Sequence, residues 1–208
     1  MPRAVMRPRG GRAQARPETA QVPVRVGFFG KLPSRGDFVR AGLSRAMVAA
    51  WDGWLQAVLP EAEHLAGATW AGSWRAAPCW RFRLPAGLCG PQAWTGLWLA
   101  SSDLVGRCFP LLAAAETACV AEMRLDEIER ACRAAIAAGD APDGLAARLQ
   151  AALGAALAPE PGARHLLTPP DPNASVAAPH WWQAGEEPIM ISTGMPDARQ
   201  FLRMLAAP

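Results

Sequence analysis

Two short polar clusters carry the side chains that could do chemistry. The segment GFFGKLPSRGDFV (27–39) presents Lys31, Ser34, Arg35 and Asp37, which are two cations, a hydroxyl and a carboxylate within seven residues. The segment SSDLVGR (101–107) offers Ser101, Ser102, Asp103 and Arg107, with Gly106 permitting an unusual backbone angle. Lys31 is the only lysine of the chain. Every other cation is arginine, so its retention points to a preference for a compact ammonium at this position.

Several catalytic readings of these residues fail on spacing. A phosphate-binding P-loop needs a glycine five residues ahead of a Gly-Lys-Ser/Thr run, and Gly30-Lys31 is followed by Leu32 with no such glycine. Gly27 and Gly30 do not form a dinucleotide fingerprint. A Ser–Lys hydrolase built from Lys31 and Ser34 reverses the usual order and has no oxyanion donor beside it. A Ser–His–Asp set from Ser34 or Ser102, His180 and Asp103 has the right residue types, but any chain of this length contains them. The Arg-Gly-Asp run (35–37) matters to extracellular adhesion, and no export signal accompanies it.

Two readings remain and are compatible. In one, the clusters brace each other, with Arg35 or Arg107 forking onto Asp37 or Asp103 in a charge-assisted bond. In the other, the same rim of Lys31, Ser34, Arg35, Asp37, Ser102, Asp103 and Arg107 binds a partner, since a recognition loop must first be rigid. No catalytic residue, metal ligand or cofactor site is assigned. The alternatives are a small hydrolase using Ser34 or Ser102, and a structural subunit of a larger assembly.

The elements that must position these loops are legible from periodicity. Val24–Gly30 is short, β-branched and aromatic, and predicts a buried strand. Met47, Trp51, Trp54, Leu55 and Val58 recur at helical spacing, which predicts a helix from about Ser44 to Leu59, stopped by Pro60. Trp80-Arg81-Phe82-Arg83-Leu84 alternates, as a strand with one wet face would. Trp94–Leu99 is apolar on both parities, so it predicts a central strand covered on both sides. Phe109–Ala115 is a third strand of this group, and the short linkers predict antiparallel neighbours.

Two helices follow. One carries the stripe Leu125, Ile128, Cys132, Ala135 and Ile136 and ends at Gly139; the other carries Leu145, Leu149, Leu153 and Leu157 and ends at Pro159. The proline-rich stretch Pro159–Pro179 predicts a surface loop. Trp181-Trp182 and Ile189–Ser192 look like late strands, and Ala198, Phe201, Leu202 and Leu205 mark a closing helix. The result is a single α/β (α+β) domain with a mostly antiparallel mixed sheet and helices packed on its faces. Nine tryptophans and six phenylalanines can fill its core without a cofactor.

Composition bounds the rest. The 208 residues are 51% hydrophobic and 19% charged, as in a soluble globular domain, and no apolar run approaches the ~20 residues of a membrane helix. Residues 1–23 hold five arginines against one glutamate, while the remainder holds sixteen basic and seventeen acidic residues. The positive charge therefore belongs to a disordered Arg-rich tail (1–23), and the body (24–208) has no net charge to steer it onto nucleic acid. Cys79, Cys89, Cys108, Cys119 and Cys132 form no Cys-x-x-Cys pair and sit in apolar neighbourhoods. Without an export signal they read as reduced core thiols of a cytoplasmic protein. His64, His165 and His180 lie near none of them at zinc-ligand spacing.

The ordered blocks GFFGKLPSRGDFV, WDGWLQ (51–56), WRFRL (80–84), SSDLVGRCFPLL (101–112), WW (181–182) and GMPDARQFLRML (194–205) resemble the TagF/ImpM family across roughly residues 24–206. Cys108 departs from that pattern, which commonly has an aromatic there. The resemblance implies a cytoplasmic accessory protein of the bacterial type VI secretion system. It further implies a post-translational repressor of assembly that acts through the forkhead-associated scaffold Fha, in a pathway that includes a threonine kinase and phosphatase. Some relatives are fused to the phosphatase, and nothing in this chain resembles it.

Overall fold

The structure, a computed structural model, describes residues 26–116, 122–155, 178–186, 189–190 and 194–206. The Arg-rich tail, Cys119, His165 and most of the proline-rich stretch fall outside these residues.

The chain forms strands β1 (Val26–Gly30) and β2 (Val39–Ala41), then helices α1 (Arg45–Ala66) and α2 (Trp70–Ala76). Strands β3 (Trp80–Leu84), β4 (Trp94–Leu99) and β5 (Leu111–Glu116) come next, followed by helices α3 (Glu122–Ala138) and α4 (Pro142–Ala155). Strands β6 (His180–Trp182) and β7 (Ile189–Met190) and helix α5 (Ala198–Leu205) close the order. The strands make one seven-stranded sheet in the order β2-β1-β5-β4-β3-β6-β7. Every described pairing is antiparallel, and for β3, β4 and β5 this is what the short linkers predict.

The pleat sends adjacent side chains to opposite faces, and each face has its own core. Phe29, Phe82, Trp98 and Trp181 pack under α1, α2 and α5, with Trp51, Trp74 and Phe201 supplied from the helices. Their neighbours Phe28, Leu97, Leu99 and Trp182 face α3 and α4, which contribute Leu125, Ile128, Cys132 and Leu145. β4 lies in the middle of the sheet and is buried along its whole length, which is why it has no polar parity. The tryptophans are core residues, as composition suggests.

Three expectations are corrected. First, α1 does not stop at Pro60 but runs to Ala66, ending at Gly67. Pro60 removes one backbone donor, but its ring is exposed, while Val58 and Ala62 on either side are pinned in the core. The helix start is as expected, with the Ser44 hydroxyl capping Met47 N at 3.2 Å. Second, the arginine face of β3 is not wet. Arg81 is 1% exposed beneath α3, where its guanidinium meets Asp126 at 2.5 Å and Glu129 at 3.2 Å. Arg83 stands over the ring of Trp182 at 5.1 Å. Third, β2 and α2 are elements that periodicity does not reveal. β2 has only three residues and α2 seven, too few for a pattern to register.

Candidate functional site

Topology brings the two polar clusters together. β1 runs antiparallel to β5, and β5 runs antiparallel to β4. β1 and β4 therefore point the same way, and the loops leaving their C-terminal ends emerge at one end of the sheet. Gly30 makes the exit from β1 feasible. Its φ is +143°, and a Cβ there would stand 2.1 Å from the carbonyl oxygen of Pro110.

The centre of the arrangement is Asp103, which is 2% exposed. Lys31 Nζ donates to its Oδ2 at 2.8 Å, and Arg107 Nε donates to the same oxygen at 2.6 Å. Its Oδ1 accepts the backbone N–H groups of Val105 at 3.1 Å and Arg107 at 2.9 Å. Burial alone would raise the Asp103 pKa, but the hydrogen bonds from Lys31 and from the Arg107 backbone and side chain outweigh it. The carboxyl is held far below the usual carboxylate range, so it is a fixed anion and not a proton donor. Lys31 is itself buried, with its ammonium 5.2 Å from the ring centroid of Phe38.

Further bonds lock loop to loop. Arg107 donates through its terminal guanidinium nitrogen to the Gly36 carbonyl at 3.0 Å, and Leu104 N donates to the Arg35 carbonyl at 2.9 Å. Ser101 donates its hydroxyl to the Lys31 carbonyl at 2.8 Å, and Trp74 of α2 donates its indole N–H to the Ser101 carbonyl at 2.9 Å. Ser34 reaches away from the bracket and donates to the Asp140 carbonyl between α3 and α4 at 2.5 Å.

Of the residues expected at the rim, Lys31, Asp103 and Arg107 meet in one cluster, and Ser34 anchors its loop to the helical layer. Arg35 and Asp37 are exposed, and their side chains make no hydrogen bond or ion pair among the described residues. The expected fork onto Asp103 is therefore made by Arg107, with Lys31 as the second cation. Ser102 is half-buried and pairs through its backbone with Cys108.

The serines do not meet His180. That residue pairs with Arg83, which lies opposite Thr95 near the start of β4. Ser102 follows the far end of β4, so the strand alone separates the two by a length on the order of 15 Å. Ser34 leaves β1 at the same end as Ser102 and is equally remote from the histidine.

A cleft of about 430 Å³ opens beside the second loop, walled by Trp74, Arg75, Ser102, Cys108 and Ile136 among others. Among the described residues, no histidine or carboxylate lines it. The Cys108 thiol in its wall is half-buried, and burial, followed by the charge of Glu63, pushes its pKa up. That leaves it a poor nucleophile at neutral pH.

Periodicity and polar motifs overlook three apolar members of the same surface. Leu104 is 67% exposed, Val105 72% and Phe38 49%. The signal lies in the sequence as two aliphatic residues set inside a polar turn, between Asp103 and Gly106.

Comparison with known proteins agrees with this architecture. No curated protein matches the chain. Among solved structures, the chain is similar to the crystal structure of PA0076 from Pseudomonas aeruginosa PAO1, with 30% identity and a TM-score of 0.66. That likeness covers 87% of this chain and 94% of the other. The family described as TagF N-terminal domain, Type VI secretion system-associated, matches residues 27–158, which include both loops and strands β1 to β5 apart from the first residue of β1. Given a match over more than half its length, the chain belongs to the type VI secretion-associated TagF N-terminal domain family.

Proposed function

We propose that this protein is a non-enzymatic accessory regulator of a type VI secretion system. In this reading it acts in the cytoplasm as a post-translational repressor of assembly, by binding the forkhead-associated scaffold Fha through the braced loop end. The observation that carries the reading is the division of labour within the two loops. Lys31, Asp103 and Arg107 make a rigid bracket, while Arg35 and Asp37 face outward with their charges unspent. A surface of that kind suits contact, because its order exists before binding. Ser34 and Ser102 both lie away from His180, which favours the binding reading over a serine–histidine hydrolase.

The test is a pull-down of the scaffold with Arg35→Ala and Asp37→Ala variants, alongside secretion measured after deletion and overexpression. The expected result is weakened capture by at least one variant and reduced secretion on overexpression of the parent chain. Full binding by both variants, with the fold intact, counts against the rim. Stable co-purification with baseplate or sheath and no repression would favour a structural subunit instead.

A further inference from the structure

We infer that the Leu104–Val105 tip is the apolar anchor of this surface, and that it enters an apolar pocket edged by carboxylates on a protein partner. The inference rests on the binding reading above and names the chemistry of the other side.

The two side chains belong to neither core and stand 67% and 72% exposed. Their backbone is nevertheless fixed. Leu104 N is tied to the Arg35 carbonyl, Val105 N to the Asp103 carboxylate, and Gly106 N to the Asp103 carbonyl at 3.0 Å. A turn that only joined β4 to β5 would gain nothing in water from two adjacent aliphatic groups held in place. In a desolvated pocket the same groups lose their contact with water and pay little ordering entropy, because the turn is already set.

Charge narrows the partner. The exposed ionic groups on the two loops and adjoining β2 are Arg35, Arg40 and Arg107 against Asp37 alone. Asp103 does not offset them, since it is buried and matched by Lys31. Residues 24–208 as a whole carry sixteen basic and seventeen acidic residues, so this end is basic on a body that is close to neutral. Carboxylates at the lip of the receiving pocket complement it. An anionic membrane would also attract cations, but Asp37 among them and an apolar tip of two residues suit a closed pocket better than a lipid surface.

Affinity for the purified scaffold is measured for the parent chain, a Leu104→Ser/Val105→Ser double variant and an Arg35→Glu/Arg40→Glu double variant, at low and high salt. Thermal melting checks that each folds. The serine variant is expected to bind roughly tenfold or more weakly at both salt concentrations, chiefly through faster dissociation. The glutamate variant is expected to lose affinity at low salt, with the deficit shrinking at high salt. A serine variant within twofold of the parent overturns the anchor while leaving the binding reading standing. A parent chain that does not bind the scaffold sinks that reading, and the anchor with it. Binding of the parent to phosphatidylserine vesicles that the serine variant loses would assign the tip to a membrane and overturn the protein pocket.

Discussion

Lys31 and Asp103 are 72 residues apart in sequence and 2.8 Å apart in space. Their contact is the point at which the loop after β1 is fastened to the loop after β4. Replacing Lys31 with methionine keeps the stem that packs near Phe38 but leaves a buried carboxylate with one side-chain cation fewer. The expected outcome is a fall in Tm of several degrees, together with faster hydrogen exchange at the amides of Leu104, Val105 and Arg107. An unchanged Tm and unchanged exchange would mean that the pair does not brace the loops.

The same carboxyl sets a pH dependence. Its folded-state pKa lies below its unfolded value of about 3.9. The stability it contributes is therefore present above about pH 4, and is lost as the pH falls from there toward the folded-state value. Asp103→Asn removes that dependence. Urea titrations from pH 7 to pH 2 should show the parent chain more stable at neutral pH, with the gap to the variant closing below about pH 4. A gap of constant size across that range would contradict the assignment.

Arg81 is a second buried charge, and here the partners are unequal. Asp126 is half-exposed on α3, whereas Glu129 is largely covered. Truncating Arg81 to alanine leaves a hole beneath α3, takes the cation from Asp126 and leaves Glu129 with Arg133 alone, at a cost of about 3 kcal/mol. Asp126→Asn should cost well under 1 kcal/mol, since water reaches that side chain. Chemical denaturation of the two variants gives the comparison directly. Arg81→Met, which refills the space, should recover part of the loss.

These cases show how far sequence can be read and where it stops. Periodicity is local, so the stripes of α3 and α4 and the wholly apolar β4 are visible in it. The partner of Arg81 is not, because an alternating strand looks the same whether water or an acidic helix covers its polar face. The two loops are conspicuous in composition, and a fork from Arg35 or Arg107 onto Asp37 or Asp103 is expected from residue types, though not which pair makes it. The part of Lys31 is hidden, since it depends on β1 and β4 pointing the same way across β5. Pro60 misleads for the opposite reason. The local rule is sound, but tertiary burial of Val58 and Ala62 overrides it. The exposed Leu104 and Val105 go unnoticed because apolar residues are ordinarily assigned to the interior.

Thiol reactivity tests the packing of the helical layers. Burial pushes Cys132 up to about 12 and Cys89 up to about 11, and it raises Cys79 as well. Residue-resolved alkylation of the native protein at pH 7.5 should leave these three unmodified while Cys108, half-buried at the cleft, reacts slowly. Unfolding in urea should expose them all. Rapid native labelling of Cys132 would mean that α3 does not sit on the sheet as described.

Gly30 joins the fold to the surface that the loops create. It is the last residue of β1, and Lys31 follows it directly. Alanine there would have to adopt a φ of +143° with its Cβ 2.1 Å from a backbone oxygen of Pro110. Since that oxygen belongs to the chain entering β5, relief requires β1 and β5 to part or the exit from β1 to rotate. Either movement carries Lys31 away from Asp103. Gly30→Ala should therefore destabilise the domain by about 3 kcal/mol. It should also weaken capture of the scaffold under conditions where the variant is still folded. Gly36→Ala, at a position where an added Cβ meets nothing within 4 Å, is the matched control and should change neither property. Equal behaviour of the two variants would show that the turn out of β1 does not position the bracket.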